Sequence, residues 1–156
     1  MATRRVTDGS RGRIGWDVKS AATILMAAGL LALAPPAMAA AVKPFSSDYG
    51  EVIGDGRGHV LYLFTRDRAE RSRCYGACAR AWPPFTTRRR PRVRGGLDPD
   101  LIGTVRRRRG KRQVTYDGHP LYYYVGDRRP GQIFCQDVRE FGGRWLIVAP
   151  SGDAVR

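Results

Sequence analysis

Gly58-His59-Val60-Leu61-Tyr62-Leu63-Phe64-Thr65-Arg66-Asp67 returns sixty residues later as Gly118-His119-Pro120-Leu121-Tyr122-Tyr123-Tyr124-Val125-Gly126-Asp127. Gly, His, Leu, Tyr, an aromatic ring and Asp recur at the same offsets, so the chain reads as two copies of one structural unit. Side chains alternate along an extended strand, which sets Tyr62 with Phe64, and Tyr122 with Tyr124, on one face of each copy. Those faces are expected to be core, packed across a pseudo-two-fold axis, because rings of this size dominate apolar burial. Asp67 and Asp127, three residues beyond the second ring, are expected to cap the turn leaving the strand. A binding role is the other reading of the same two carboxylates.

Working outward, Tyr49-Gly50-Glu51-Val52-Ile53 reads as a strand that turns through Gly54-Asp55-Gly56 into Val60–Phe64. Residues 40–45 before it read as a loose segment. Residues 70–82 change to Ala, Arg and Cys, a helical composition that Pro83-Pro84 ends. Leu101-Ile102-Gly103-Thr104-Val105 and Gln113-Val114-Thr115-Tyr116 read as hairpin arms around Gly110, and Asp117-Gly118 is a strong turn signal. Arg144-Trp145-Leu146-Ile147-Val148-Ala149 closes the chain as a strand. The expected fold is mainly β, a small antiparallel domain of about six strands in two repeats, with one short helix around Cys74–Cys78. The repeats are placed at about 49–85 and 101–150, joined by an Arg/Pro-rich linker at 86–100.

The N-terminus bears on location. Arg4, Arg5, Arg11, Arg13 and Lys19 precede an apolar run at 21–34, and Ala37-Met38-Ala39 supplies a small-x-small pattern. Together they read as a secretory signal peptide over residues 1–39, cleaved after Ala39. The run of about 14 residues falls short of the roughly 20 that span a bilayer, so no permanent transmembrane anchor is expected. Since the first cysteine is Cys74, no residue near the cleavage site can take a lipid, and the mature protein is expected to be soluble, in the periplasm or secreted.

Setting aside the five cations and two acids of that leader, the chain's 28 Lys and Arg and 14 Asp and Glu fall to 23 against 12. Two arginine clusters carry much of this charge, Arg88-Arg89-Arg90-Pro91-Arg92-Val93-Arg94 and Arg106-Arg107-Arg108-Arg109-Gly110-Lys111-Arg112. Such a surface is either simply solvated or attracts anionic envelope components or an acidic protein. Nucleic acid is not an expected partner, because an exported chain with no reading motif lacks the usual signature.

The motifs meet in a resemblance. Tyr62-x-Phe64-x-x-Asp67 and Tyr122-x-Tyr124-x-x-Asp127, with Cys74-x-Gly76-x-Cys78-Ala79-x-x-Trp82-Pro83-Pro84, Gln113-Val114-Thr115-Tyr116-x-Gly118-x-Pro120-Leu121-Tyr122 and Phe141-Gly142-Gly143-x-Trp145, resemble a bacterial family of secreted repeat lipoproteins. The resemblance spans residues 58–152 and implies an exported protein of unknown function. The chain departs from the family in lacking a lipidation cysteine and in placing Ile133-Phe134-Cys135-Gln136-Asp137 where a Gly-rich stretch is usual.

Three cysteines cannot all pair within one chain. Cys74 with Cys78 is one arrangement, favoured by an oxidising compartment, and a bridge from Cys135 to that segment is its rival. Reduced thiols serving metal or redox chemistry are the third. His59 and His119 occupy the same place in each copy, where they are either turn residues or, if the copies face each other, ligands for copper, zinc or iron. Nucleophile-elbow, phosphate-loop and zinc-protease patterns are all missing, so no enzymatic activity, catalytic residue or cofactor is expected. The leading expectation is a non-enzymatic, envelope-associated accessory or binding protein with a basic surface. Its alternative is a metal-binding or redox accessory protein using His59, His119 and the cysteines.

Overall fold

Two hairpins of one design organise the chain. The computed structural model describes residues 39–156, so the leader read at 1–39 lies, up to residue 38, outside the described residues. β1 (Ala41–Ser47) and β2 (Gly50–Asp55) form the first hairpin, with Phe45 opposite Val52 and Ser46 opposite Glu51. β3 (Tyr62–Phe64), α1 (Ala77–Ala81), β4 (Thr86–Thr87) and β5 (Arg92–Val93) follow. The second hairpin joins β6 (Ile102–Arg106) to β7 (Arg112–Tyr116) through a single 3-10 turn, with Val105 opposite Gln113 and Arg106 opposite Arg112. β8 (His119–Pro120), β9 (Val138–Glu140) and β10 (Gly143–Ile147) complete the chain. Asp117 and Gly118, both at positive φ, make the tight turn between β7 and β8 that the Asp-Gly pair signals.

Each repeat lends its last strand to the other. β10 runs antiparallel to β3, with Trp145 opposite Phe64 and Ile147 opposite Tyr62, and Ile53 N–H donates to the Val148 carbonyl at 2.9 Å. The same exchange occurs in the opposite sense: Val114 N–H donates to Phe85 O at 2.8 Å, Tyr123 N–H to Pro83 O at 2.9 Å, and β4 pairs with β7. Tyr62 and Tyr122 bond each other's backbones reciprocally, both at 2.9 Å, and so mark the pseudo-two-fold axis. Alternation then sorts the side chains of Leu61 and of β3 after it. Leu61 and Leu63 enter one core with Ile53, Val114, Leu121 and Leu146, while Tyr62 and Phe64 enter the other with Trp82, Tyr122 and Trp145.

The mainly β class, the two repeats and the short helix stand as expected, and local details differ. Residues 40–45 are not loose: most of them belong to β1, where Val42 is fully buried between Asp55 of β2 and Val93 of β5. The first repeat therefore begins before residue 49. Lys43 and Pro44 gave that segment little local strand signal, and pairing with distant residues overrides it. The helical composition of 70–82 yields only the five residues of α1, preceded by Gly76 at φ 59°. Residues 86–100 are likewise more than a linker, since they supply β4 and β5. The β1–β5 pair is parallel, an exception to the otherwise antiparallel pairing of the strands.

Candidate functional site

The signature residues lock the repeats to each other. Tyr62 Oη donates to Asp127 Oδ2 at 2.6 Å, and Tyr122 Oη donates to Asp67 Oδ2 at 2.6 Å. Each aspartate also acts locally, as expected of a turn cap. Its own N–H closes a turn onto the carbonyl of the preceding ring, Phe64 or Tyr124. Its Oδ1 accepts a downstream N–H, from Arg73 at 2.7 Å for Asp67 and from Phe134 at 3.0 Å for Asp127. Burial pushes both carboxyl groups above the usual range, and these hydrogen bonds offset part of that rise. Tyr62 and Tyr122 are fully buried, and burial beside a carboxylate raises their phenols well above the ordinary value.

The aromatic faces meet through two tryptophans. Phe64 stacks on Trp145 (4.2 Å, 9°), Trp145 on Trp82 (4.0 Å, 3°), and Trp82 packs on Tyr124 (4.7 Å, 38°). Tyr62 and Tyr122 meet Trp82 and Trp145 edge-on at 5.2 and 5.1 Å. The four-ring column was not foreseen. Its signal was there, because Trp82 and Trp145 each follow the signature aspartate of their own repeat. Trp82 Nε1 donates to Glu140 Oε2 at 2.8 Å, whereas the buried Trp145 Nε1 has no partner. Ala79, five residues past Cys74 as Glu140 is five past Cys135, offers that indole no acceptor.

Cys74 and Cys78 are bonded, with Cα atoms 5.2 Å apart, and Cys135 is a half-buried free thiol. Cys135 follows Asp127 much as Cys74 follows Asp67, and Arg139 stands where a second cysteine would be needed. His59 and His119 are half-buried, each beside the other repeat's aspartate, Asp127 and Asp67 respectively. Among the described residues no three His, Cys, Asp or Glu side chains converge in a ligand set, so the two histidines are not assembled with the cysteines into one centre.

The cationic residues, by contrast, are brought together. A cleft of about 730 Å³ opens between β4 and the tip of the second hairpin, lined by Thr86, Thr87, Arg88, Arg89, Arg109, Gly110, Lys111 and Arg112. It shares Arg89 with a groove of about 660 Å³ along Arg90, Arg92 and Arg94. Among the described residues the one ion pair joins Arg144 to Asp137, away from both. Sequence reasoning placed the two arginine clusters separately, as linker and hairpin tip. β4 pairing with β7 joins them.

Arg107 anchors this tip from inside. Its Nη1 donates to Ser72 Oγ and Gln113 Oε1, both at 2.6 Å, its Nη2 donates to the Cys74 carbonyl, and its guanidinium lies 4.4 Å from the Tyr75 ring centre. Arg108 stacks on the same ring at 4.6 Å. Nothing in the arginine run distinguished the buried Arg107 from its exposed neighbours.

These features define a class: a two-repeat β protein whose copies exchange final strands and Tyr–Asp hydrogen bonds about a pseudo-two-fold axis. The chain belongs to the Lipoprotein_15 family, a secreted repeat of unknown function, whose family model matches residues 43–86 and 103–149. Those spans run from β1 to β4 and from β6 past β10. No curated protein and no solved structure matches the chain. Among the described residues no helix is long and apolar enough to cross a membrane.

Proposed function

We propose that this protein is an exported, non-enzymatic binding or accessory protein of the cell envelope that holds anionic envelope components on its basic face. The observation that carries the reading is the joined pair of arginine clusters, free of ion pairs, around β4, β5 and the β6–β7 tip. Uncompensated guanidinium groups repel one another and create a positive potential that draws anions over a Debye length. Arginine also suits this work chemically, because its planar fork matches carboxylate, sulfate and phosphate oxygens two at a time.

The symmetric residues supply the frame. Tyr62, Tyr122, Asp67 and Asp127 spend their polar atoms on each other and on neighbouring backbone and Ser72, and the rings fill a core. Co-sedimentation of the exported protein with isolated cell envelopes at rising sodium chloride tests the reading. Binding at about 0.05 M salt that is lost toward 1 M, where screening acts within about 3 Å, is expected. Retention indifferent to salt would point instead to coordination or apolar contact and would overturn it.

A further inference from the structure

We propose that the cleft between β4 and the β6–β7 tip, continued by the groove along β5, is a track for one linear acidic polysaccharide. The inference rests on the reading above and names its site and ligand class. Arg88 and Arg89, just past β4, and Lys111 and Arg112, where the hairpin tip enters β7, face one cleft, and Arg90, Arg92 and Arg94 carry the charge onward. Residues 88–94 extend at most about 23 Å, the reach of a chain with several charged units and not of a single ion.

The pseudo-symmetry indicates that this charge is not demanded by the fold. Ile53 and Val114 hold equivalent places, each donating to the residue that adjoins the last strand of the other repeat, Val148 and Phe85 respectively. Counting from them, Ser46 opposite Glu51 in the first hairpin becomes Arg106 opposite Arg112 in the second. Like charges directly opposite on a ladder weaken it, so the second hairpin carries a cost the first avoids. The first tip is the short Asp48-Tyr49, whereas the second is Arg107-Arg108-Arg109-Gly110-Lys111. A codon bias toward arginine would have no reason to spare one of two homologous tips.

Shape and composition select the occupant. A protein partner is held by buried apolar anchors, and the cleft at the tip is lined by Thr, Arg, Lys and Gly alone, with apolar side chains (Pro91, Val93, Pro99, Ile102) entering only the β5 groove that continues it. A bilayer is flat and meets protruding cations, whereas these cations line concavities. An extended chain bearing carboxylates or sulfates fits a concave cationic track.

The experiment measures binding of the exported protein to polygalacturonate, to heparin and to vesicles of phosphatidylcholine with phosphatidylglycerol, across a salt series. One variant is Arg88→Ala/Arg89→Ala/Lys111→Ala. Its control, Arg80→Ala/Arg128→Ala/Arg129→Ala, removes equal charge from exposed residues outside both grooves. Circular dichroism checks that both fold. Polysaccharide affinity is expected to fall at least about tenfold in the groove variant, with the log–log salt slope reduced by about two, and to stay within about twofold in the control. An equal fall in both variants would overturn the track while leaving envelope binding by net charge intact. Binding to vesicles alone would overturn the polysaccharide as occupant. Binding to none of the three probes would remove both the track and the broader reading.

Discussion

Alkali should unfold this protein through two phenols. Tyr62 and Tyr122 are fully buried, and each donates its hydroxyl to a carboxylate at 2.6 Å. Burial first, and the neighbouring Asp127 or Asp67 next, raises both well above the ordinary tyrosine value near 10. The folded state thus keeps these protons after the unfolded chain has lost them. Their contribution to stability is whole below about pH 10 and drains as the pH climbs toward the folded values. Each withheld proton costs about 1.4 kcal/mol per pH unit, so the pair removes nearly 3 kcal/mol per unit, on the order of 5 kcal/mol by pH 12. That is comparable to the whole stability of a domain, about 5–15 kcal/mol. Tyr123, which donates to Asp55 at 3.0 Å and is also raised by burial, acts in the same direction. Ultraviolet phenolate absorbance and far-ultraviolet circular dichroism, followed together from pH 9 to 13, should show part of the tyrosine signal appearing only with cooperative unfolding. Full phenolate absorbance near pH 11 with native dichroism would refute the reasoning. In Tyr62→Phe/Tyr122→Phe the alkaline slope should flatten. At neutral pH each substitution should cost about 1.5–3 kcal/mol, because it leaves a buried carboxylate short of a donor.

Other outcomes follow from single contacts. Cys74→Ser/Cys78→Ser opens a loop of five residues and should cost about 2 kcal/mol in urea unfolding, while intact mass of the wild type should show one disulfide and one alkylatable thiol at Cys135. Trp82→Phe should cost about 1 kcal/mol more than Trp145→Phe, since only Trp82 gives up an indole hydrogen bond, to Glu140. Gly54→Ala would set a methyl 2.7 Å from the His59 carbonyl and 2.8 Å from the Phe45 ring, and should lower stability by about 1–3 kcal/mol by thermal melting.

The sequence disclosed what is local and repeated. Sixty-residue recurrence announced two units, and the Asp117-Gly118 turn and the arms around Gly110 announced the second hairpin. What stayed hidden depends on distant pairing. Nothing local says that Trp145 stacks on Trp82, or that the Tyr–Asp bonds run between copies and not within them. β1 escaped notice because its stability comes from β2 and β5 and not from Lys43-Pro44. The candidate site was half legible: both arginine clusters were visible as charge, but only the β4–β7 pairing makes one cleft of them.

Where the copies agree the residues hold the frame, so function is best sought where they differ. Ser72 and Gln113 are answered in the other half by Ile133 and Val52, and Arg107 has no counterpart on the two-residue first tip. These three asymmetric groups form one polar knot: Ser72 Oγ lies 2.7 Å from Tyr122 Oη, Arg107 binds Ser72 and Gln113, and Gln113 Nε2 donates to Leu121 O at 2.7 Å. Arg107 also reaches the Cys74 carbonyl, which ties the cationic tip to the disulfide loop. Removing Arg107 strands buried acceptors, and removing the disulfide loosens one of them, so the two changes should not add. A double-mutant cycle of Arg107→Met with Cys74→Ala/Cys78→Ala should give a coupling of about 0.5–3 kcal/mol in urea unfolding. The Arg107→Met variant should also bind polyanion more weakly although Arg107 itself is buried, because the tip that carries Arg109 and Lys111 loses its anchor. Additive stabilities with unchanged polyanion affinity would show that the tip holds its place without the knot.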